Sequence, residues 1–416
     1  MLYDCRGLAV TTEEEQAIER LDAATYAFLA QRPDVRALLG QALVADPGLA
    51  VGHVLDGFCH LLAARRPALD AARQALMRAR QAVATRGATA RELHLTDALA
   101  AWAVDGDMVR AADLLDEAVG LFGLDVLSLR LGHAVRFMLG DVAAMRRSLE
   151  AALRGWSPDV PDYSFVLGCH AFALGETGEI ARAEAVGRMA VGLCPDDLWG
   201  GHAVAHALGG QRRQREAVAW ITWMEPHMAC GGSFVRHVTW HRALGHLALG
   251  EGHVALELYR AMVSRGGLDE VRDMLNAASL LWRLQDAGQP VHQWMWDELA
   301  DVAEQRIGEH AWVFADLHYV LSLAGAGRME ALAGMLGSMR RHGDATPGTQ
   351  ARITAEVGLP AARAIAAAAR GAHVEAAELL RAAEPSFARV GGSIVQRSLL
   401  RRIRDRSEVL RELHAS

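Results

Sequence analysis

Along an amphipathic, helix-patterned chain, a glycine followed by a short polar turn recurs every 34 to 44 residues. That period constrains the fold more than any other feature, because repeats of this length belong to stacked helical units. The turns are marked by Gly106, Gly140, Gly178, Gly250, Gly288, Gly327 and Gly371, with Gln211-Arg212 filling the one gap. Five residues after most of them a small residue sits inside an apolar helix: Ala111, Ala183, Ala255 and Ala376. In SFVLGCHAFALGETGEIARAEAVGRMAVGLCPDD one helix ends at Gly178, a second carries Ala183, and Pro195 begins the next turn. Small residues let paired helices approach, and proline ends the second helix, which is the logic of a tetratricopeptide unit. Runs of β-branched residues are few, so the expected fold is all-α: one right-handed, tetratricopeptide-like solenoid of about nine helix pairs over residues 1–416. Residues 1–90 are expected to be divergent repeats and 91–385 regular ones. The Arg-rich stretch 386–416 is expected to cap the stack, since solenoid ends need a polar outer face.

Composition narrows the function. All 43 basic residues are Arg and none is Lys. A Schiff-base lysine, and with it pyridoxal phosphate chemistry, is therefore excluded. A P-loop is excluded too, and no Gly-rich strand-to-helix turn offers a nucleotide cofactor a seat. A net charge of −7 gives no pull on nucleic acid or on an anionic membrane. The bias toward Arg, Ala and Gly suggests a GC-rich bacterial coding sequence. Cys5, Cys59, Cys169, Cys194 and Cys230 are scattered, with no CxxC pair, so neither a zinc knuckle nor a disulfide framework is expected. The opening MLYDCRGLAVTTEEEQ has no secretory pattern and no run is apolar enough to span a bilayer, so a cytoplasmic location is expected.

The histidines carry the chemistry. Six of the 18 lie between residues 202 and 246, and two pairs stand at i, i+4: His202 with His206 in GHAVAH, and His237 with His241 in RHVTWH. On a helix this spacing puts both imidazoles on one face, the arrangement with which a helix chelates a single metal ion. Counted from the repeat boundaries, both pairs fall near the middle of the first helix of consecutive units, facing the concave groove. His318 takes the equivalent position two units later, and Glu176 faces inward from the preceding unit. Three readings stay open: a zinc or iron site on the four histidines, a metal-free pocket using them as acid and base, and a non-catalytic groove holding a protein segment. Tetratricopeptide clamps that grip a peptide carboxylate use Lys and Asn, and this chain has no Lys and a single Asn, Asn276. His53, His60, His94, His133 and His170 are expected to be hydrogen-bonded core residues. His227, His253, His292, His310, His342, His373 and His414 are expected to be solvated near turns, and Trp199, Trp240, Trp282, Trp294 and Trp296 to form core or groove wall.

The stretch DDLWGGHAVAHALG, with RHVTWHRALGHLALGEGHVALELY after it, resembles the tetratricopeptide-repeat protein 38 family, whose His-Ala-Val-Ala-His and His-x-x-Trp-His helices map onto His202, His206, His237, Trp240 and His241. RELHLTDALAAWAVDGD, WSPDVPDYSFVLGCHAFAL, FADLHYVLSL and VGGSIVQR extend the resemblance along most of the chain. They add Asp316, His318, Gly391, Gly392, Gln396 and Arg397 to the residues of interest. Two departures stand out: Gly209 where the family usually has Glu, and Val238 where it usually has Asn. The resemblance implies a soluble intracellular repeat protein but brings no defined reaction. The expected function is a small-molecule site on His202, His206, His237 and His241 in catalytic or metal-binding roles. Glu176, Trp240, Asp316, His318 and Arg397 are expected to line its pocket. The alternative is a protein-binding scaffold without catalysis.

Overall fold

The computed structural model describes residues 1–228 and 231–415, leaving aside the side chains of residues 265, 266, 414 and 415. Cys230 and the side chain of His414 therefore lie outside the described residues. Helices account for nearly all of the regular structure. Among the described residues the only strands are a two-residue antiparallel pair, Leu2–Tyr3 with Ala9–Val10. No helix among them is long and apolar enough to cross a membrane.

The chain divides into two compact units. The first (Met1–Phe137 and Val142–Val235) contains α1 Glu15–Leu29, α2 Val35–Ala45, α3 Ala50–Leu62, α4 Arg66–Arg86, α5 Ala90–Ala103, α6 Met108–Phe122, α7 Val126–Leu139, α8 Val142–Ala152, α9 Tyr163–Glu176, α10 Ile180–Leu193, α11 Leu198–Gly210 and α12 Gln214–Met224. The second (Met138–Asp141 and Arg236 onward) contains α13 Gly232–Ala248, α14 Gly252–Gly266, α15 Val271–Asp286, α16 Gln293–Gln305, α17 Val313–Gly325, α18 Met329–Ala345, α19 Thr349–Ile353, α20 Leu359–Ala369, α21 His373–Ala383 and α22 Ile394–Ala415. The division falls inside two helices, between Phe137 and Met138 of α7 and between Val235 and Arg236 of α13. Within each unit, consecutive helices pack as pairs, as α9 does on α10 and α16 on α17.

The sequence punctuation has a direct physical counterpart. Gly106, Gly140, Gly178, Gly250, Gly288, Gly327 and Gly371 all take positive φ, and Arg212 takes the same left-handed conformation (φ 60°) where glycine is missing. Ala111, Ala183, Ala255 and Ala376 are each completely buried, consistent with close helix approach. A few helix starts in the first unit are capped by side chains. Thr89 and Glu92 form a reciprocal capping box on α5, and Asp107 caps α6. Asp197 caps α11 by accepting from Gly200 N at 2.8 Å. Gly168 and Gly200 leave room for that buried carboxylate, since a Cβ at either would overlap it. Burial pushes the Asp197 pKa up to about 7. The C-terminal α22 buries Leu399, Leu400 and Ile403, while Arg401 and Arg404 pair with Glu384.

Candidate functional site

In the first unit, α11 presents His202 and His206 one turn apart. Their Nε2 atoms lie 3.0 Å from each other and their ring centroids 4.4 Å, nearly perpendicular. The walls around them are aromatic. Phe172 of α9 stacks on His202 (5.8 Å, 17°), while Trp199 and Phe234 stand 5.2 and 5.3 Å from it. Glu176, in the last turn of α9, places its carboxylate 3.9 Å from His206 Nδ1. Three residues singled out from sequence, Glu176, His202 and His206, thus meet in one buried patch.

His133 and Arg130 back that patch. Arg130 lies over the Trp199 ring at 4.7 Å, and His133 meets Phe172 and Trp199 edge-on. The expected hydrogen bonds of His133 are not there, since neither ring nitrogen has a partner among the described residues. Burial in this aromatic box holds its pKa far below the usual imidazole value, so it stays neutral. His53 meets the expectation better, with Nε2 2.9 Å from the Pro47 carbonyl.

In the second unit, α13 presents His237 and His241, with centroids 4.9 Å apart at 86°. Trp240 is fully buried, stacks on His237 at 14°, and has the Arg283 guanidinium 5.6 Å from its ring centroid. His237 Nδ1–H donates to Asn276 Oδ1 of α15 at 3.0 Å. That bond fixes the tautomer, with the proton on Nδ1 and the lone pair on Nε2. Burial lowers the His237 pKa to about 4, so the ring is neutral and able to ligate. Arg236 is occupied by Asp273 at 2.5 Å.

The remaining predicted residues separate. His318 is buried in α17 with Nδ1–H donating to the Phe314 carbonyl at 2.8 Å, and burial lowers its pKa to about 4. Arg397 donates to the Gly392 carbonyl. Asp316, two residues before His318 and so turned to another side of α17, binds His310 instead. His310 itself corrects the expectation of a solvated residue: it is 6% exposed, held between Asp316 and Ser338. Phe172, Phe234, Asn276 and Arg283 escaped the sequence reading as site residues. A signal existed for one of them, since Asn276 is the sole asparagine of the chain.

No family model matches the chain. Among solved structures, a chain of one described as "Structure of Naa15/Naa10 bound to HypK-THB" is similar at 13% identity and a TM-score of 0.29. The match covers 90% of this chain and 58% of that one. A likeness of that degree carries no argument about fold or function.

Proposed function

We propose that this chain is a tetratricopeptide-like repeat protein, akin to the tetratricopeptide-repeat protein 38 family, in which His202, His206, His237 and His241 together hold one zinc or iron ion at a small-molecule site. The observation that carries the reading is the His202–His206 pair. Two nitrogens each about 2.0–2.1 Å from a tetrahedral zinc lie about 3.3 Å apart, close to the 3.0 Å between these Nε2 atoms. The register of α13 supports adding the second pair. Phe234 in its first turn packs on His202, and His237 and His241 follow three and seven residues later, on the same face of the helix.

The donor set fits such an ion. His237 is neutral and held by Asn276, and Glu176 stands behind His206, as carboxylates commonly stand behind ligating imidazoles. When bound, the ion would supply Lewis-acid chemistry suited to hydrolysis. The protein's own part is to hold the imidazoles in place, with Phe172, Trp199 and Phe234 packed around His202 and Trp240 packed on His237. Cobalt(II) titration of the metal-free protein tests the reading. The expected result is saturation at one equivalent, with the intense visible bands of a four-coordinate site, abolished in His206→Ala. Bands unchanged by His206→Ala would refute it.

A further inference from the structure

Ser338, His310 and Asp316 form a hydrogen-bonded relay in the second unit, apart from the histidine pairs. His310 Nδ1–H donates to Asp316 Oδ2 at 3.0 Å, and the opposite ring nitrogen, Nε2, faces Ser338 Oγ at 2.8 Å. Asp316 is 1% exposed, so its carboxylate is a buried acceptor that fixes the imidazole tautomer. With Nδ1 carrying the proton, Nε2 must accept, and the Ser338 hydroxyl donates to it. The polarity is that of a nucleophile, its base, and the group that orients the base.

Several features accompany this relay. His310 takes a left-handed backbone (φ 46°), a conformation that non-glycine residues rarely adopt and that clusters at functional positions. Ser338, on α18, is only half-buried while its partners are buried. Gly308 (φ +94°) lies beside the hydroxyl, and a Cβ there would stand 3.7 Å from Oγ, in ordinary van der Waals contact. His342, one turn along α18 from Ser338, stacks on His310 at 4.9 Å and holds the ring plane.

We propose that Ser338 is an activated nucleophile, with His310 as its general base and Asp316 as the positioning residue, acting on small carboxylic esters. Ser338 Oγ attacks the ester carbonyl carbon while His310 Nε2 takes the hydroxyl proton. Collapse of the tetrahedral adduct breaks the bond to the alkoxide, which leaves as the alcohol with the proton from Nε2. Water then attacks the acyl-serine carbonyl, giving its proton to His310. The carboxylic acid departs, and Ser338 Oγ regains the proton. One ester and one water give one acid and one alcohol, with no metal involved, so this site stands or falls separately from the histidine centre.

The test treats the full-length protein with a fluorophosphonate probe in the presence of a chelator and maps the modified peptide by mass spectrometry. The expected result is a single adduct on Ser338, absent in Ser338→Ala and His310→Gln. In Asp316→Asn the labelling rate should fall by orders of magnitude, as loss of the orienting carboxylate does in serine proteases, about 10⁴-fold. p-Nitrophenyl acetate should show a burst of one nitrophenolate per chain. Ser338→Ala, a half-buried and conservative change, should keep the native melting temperature. No adduct on Ser338 of the folded protein would overturn the proposal. So would labelling that persists at the same rate in His310→Gln.

Discussion

Replacing Asn276 by Ala removes the acceptor that orients His237. The bond is 3.0 Å long, and both residues are buried, at 1% and 5% exposure, so no water replaces the lost oxygen. Two consequences follow. Leaving the Nδ1–H without a partner costs the metal-free protein roughly 1–3 kcal/mol. Loss of such a partner behind a ligating imidazole weakens metal affinity about 10–100-fold, which is roughly 1.4–2.7 kcal/mol of binding free energy. The effects separate experimentally. Urea denaturation of the chelated protein reads the first, and zinc competition against a chromophoric chelator reads the second. Asn276→Asp, which keeps an acceptor oxygen, should hold affinity at or above the starting level. If the Ala variant loses stability but binds zinc within twofold of the original protein, the bond is structural only, and Nε2 of His237 is not a ligand.

Other expectations rest on separate parts of the molecule. His318, with its pKa depressed to about 4 from 6.5, is neutral in the folded chain where the unfolded chain is protonated. Its contribution is therefore fully present above pH 6.5 and is lost as pH falls toward 4, by roughly 3 kcal/mol at full effect. Urea midpoints at pH 7 and 4.5 should fall less for His318→Gln than for the original protein, and equal falls would contradict this. Gly140 and Gly250 share positive φ, but only at Gly140 would a Cβ overlap a backbone carbonyl, that of Ala388. Gly250→Ala should cost about 1–2 kcal/mol from strain alone. Gly140→Ala should cost roughly 1–3 kcal/mol more, and melting curves that coincide would rule out the close contact.

What was legible in the sequence was local. A left-handed turn residue and an alanine five positions later act within one helix pair, so their spacing survives in the chain as a period, and Arg212 shows the turn persisting without glycine. The i, i+4 histidine pairs were legible for the same reason. What escaped depends on distant partners. Asn276 is 39 residues from His237, and Ser338 is 28 from His310. A histidine beside a turn looks solvated until the helix that covers it is known, which is why His310 was misjudged. The aromatic wall of Phe172 and Phe234 came from neighbouring helices, and no single-helix pattern marks such residues as site rather than core.

The central claim, that the four histidines form one metal centre, is tested most directly by elemental analysis. Purified, untagged protein would be measured beside His202→Ala and His237→Ala, which remove one ligand from each pair. The account predicts close to one zinc or iron per chain in the unsubstituted protein, lost in both variants. No bound metal in any of the three after reconstitution, or metal retained in both variants, would contradict it.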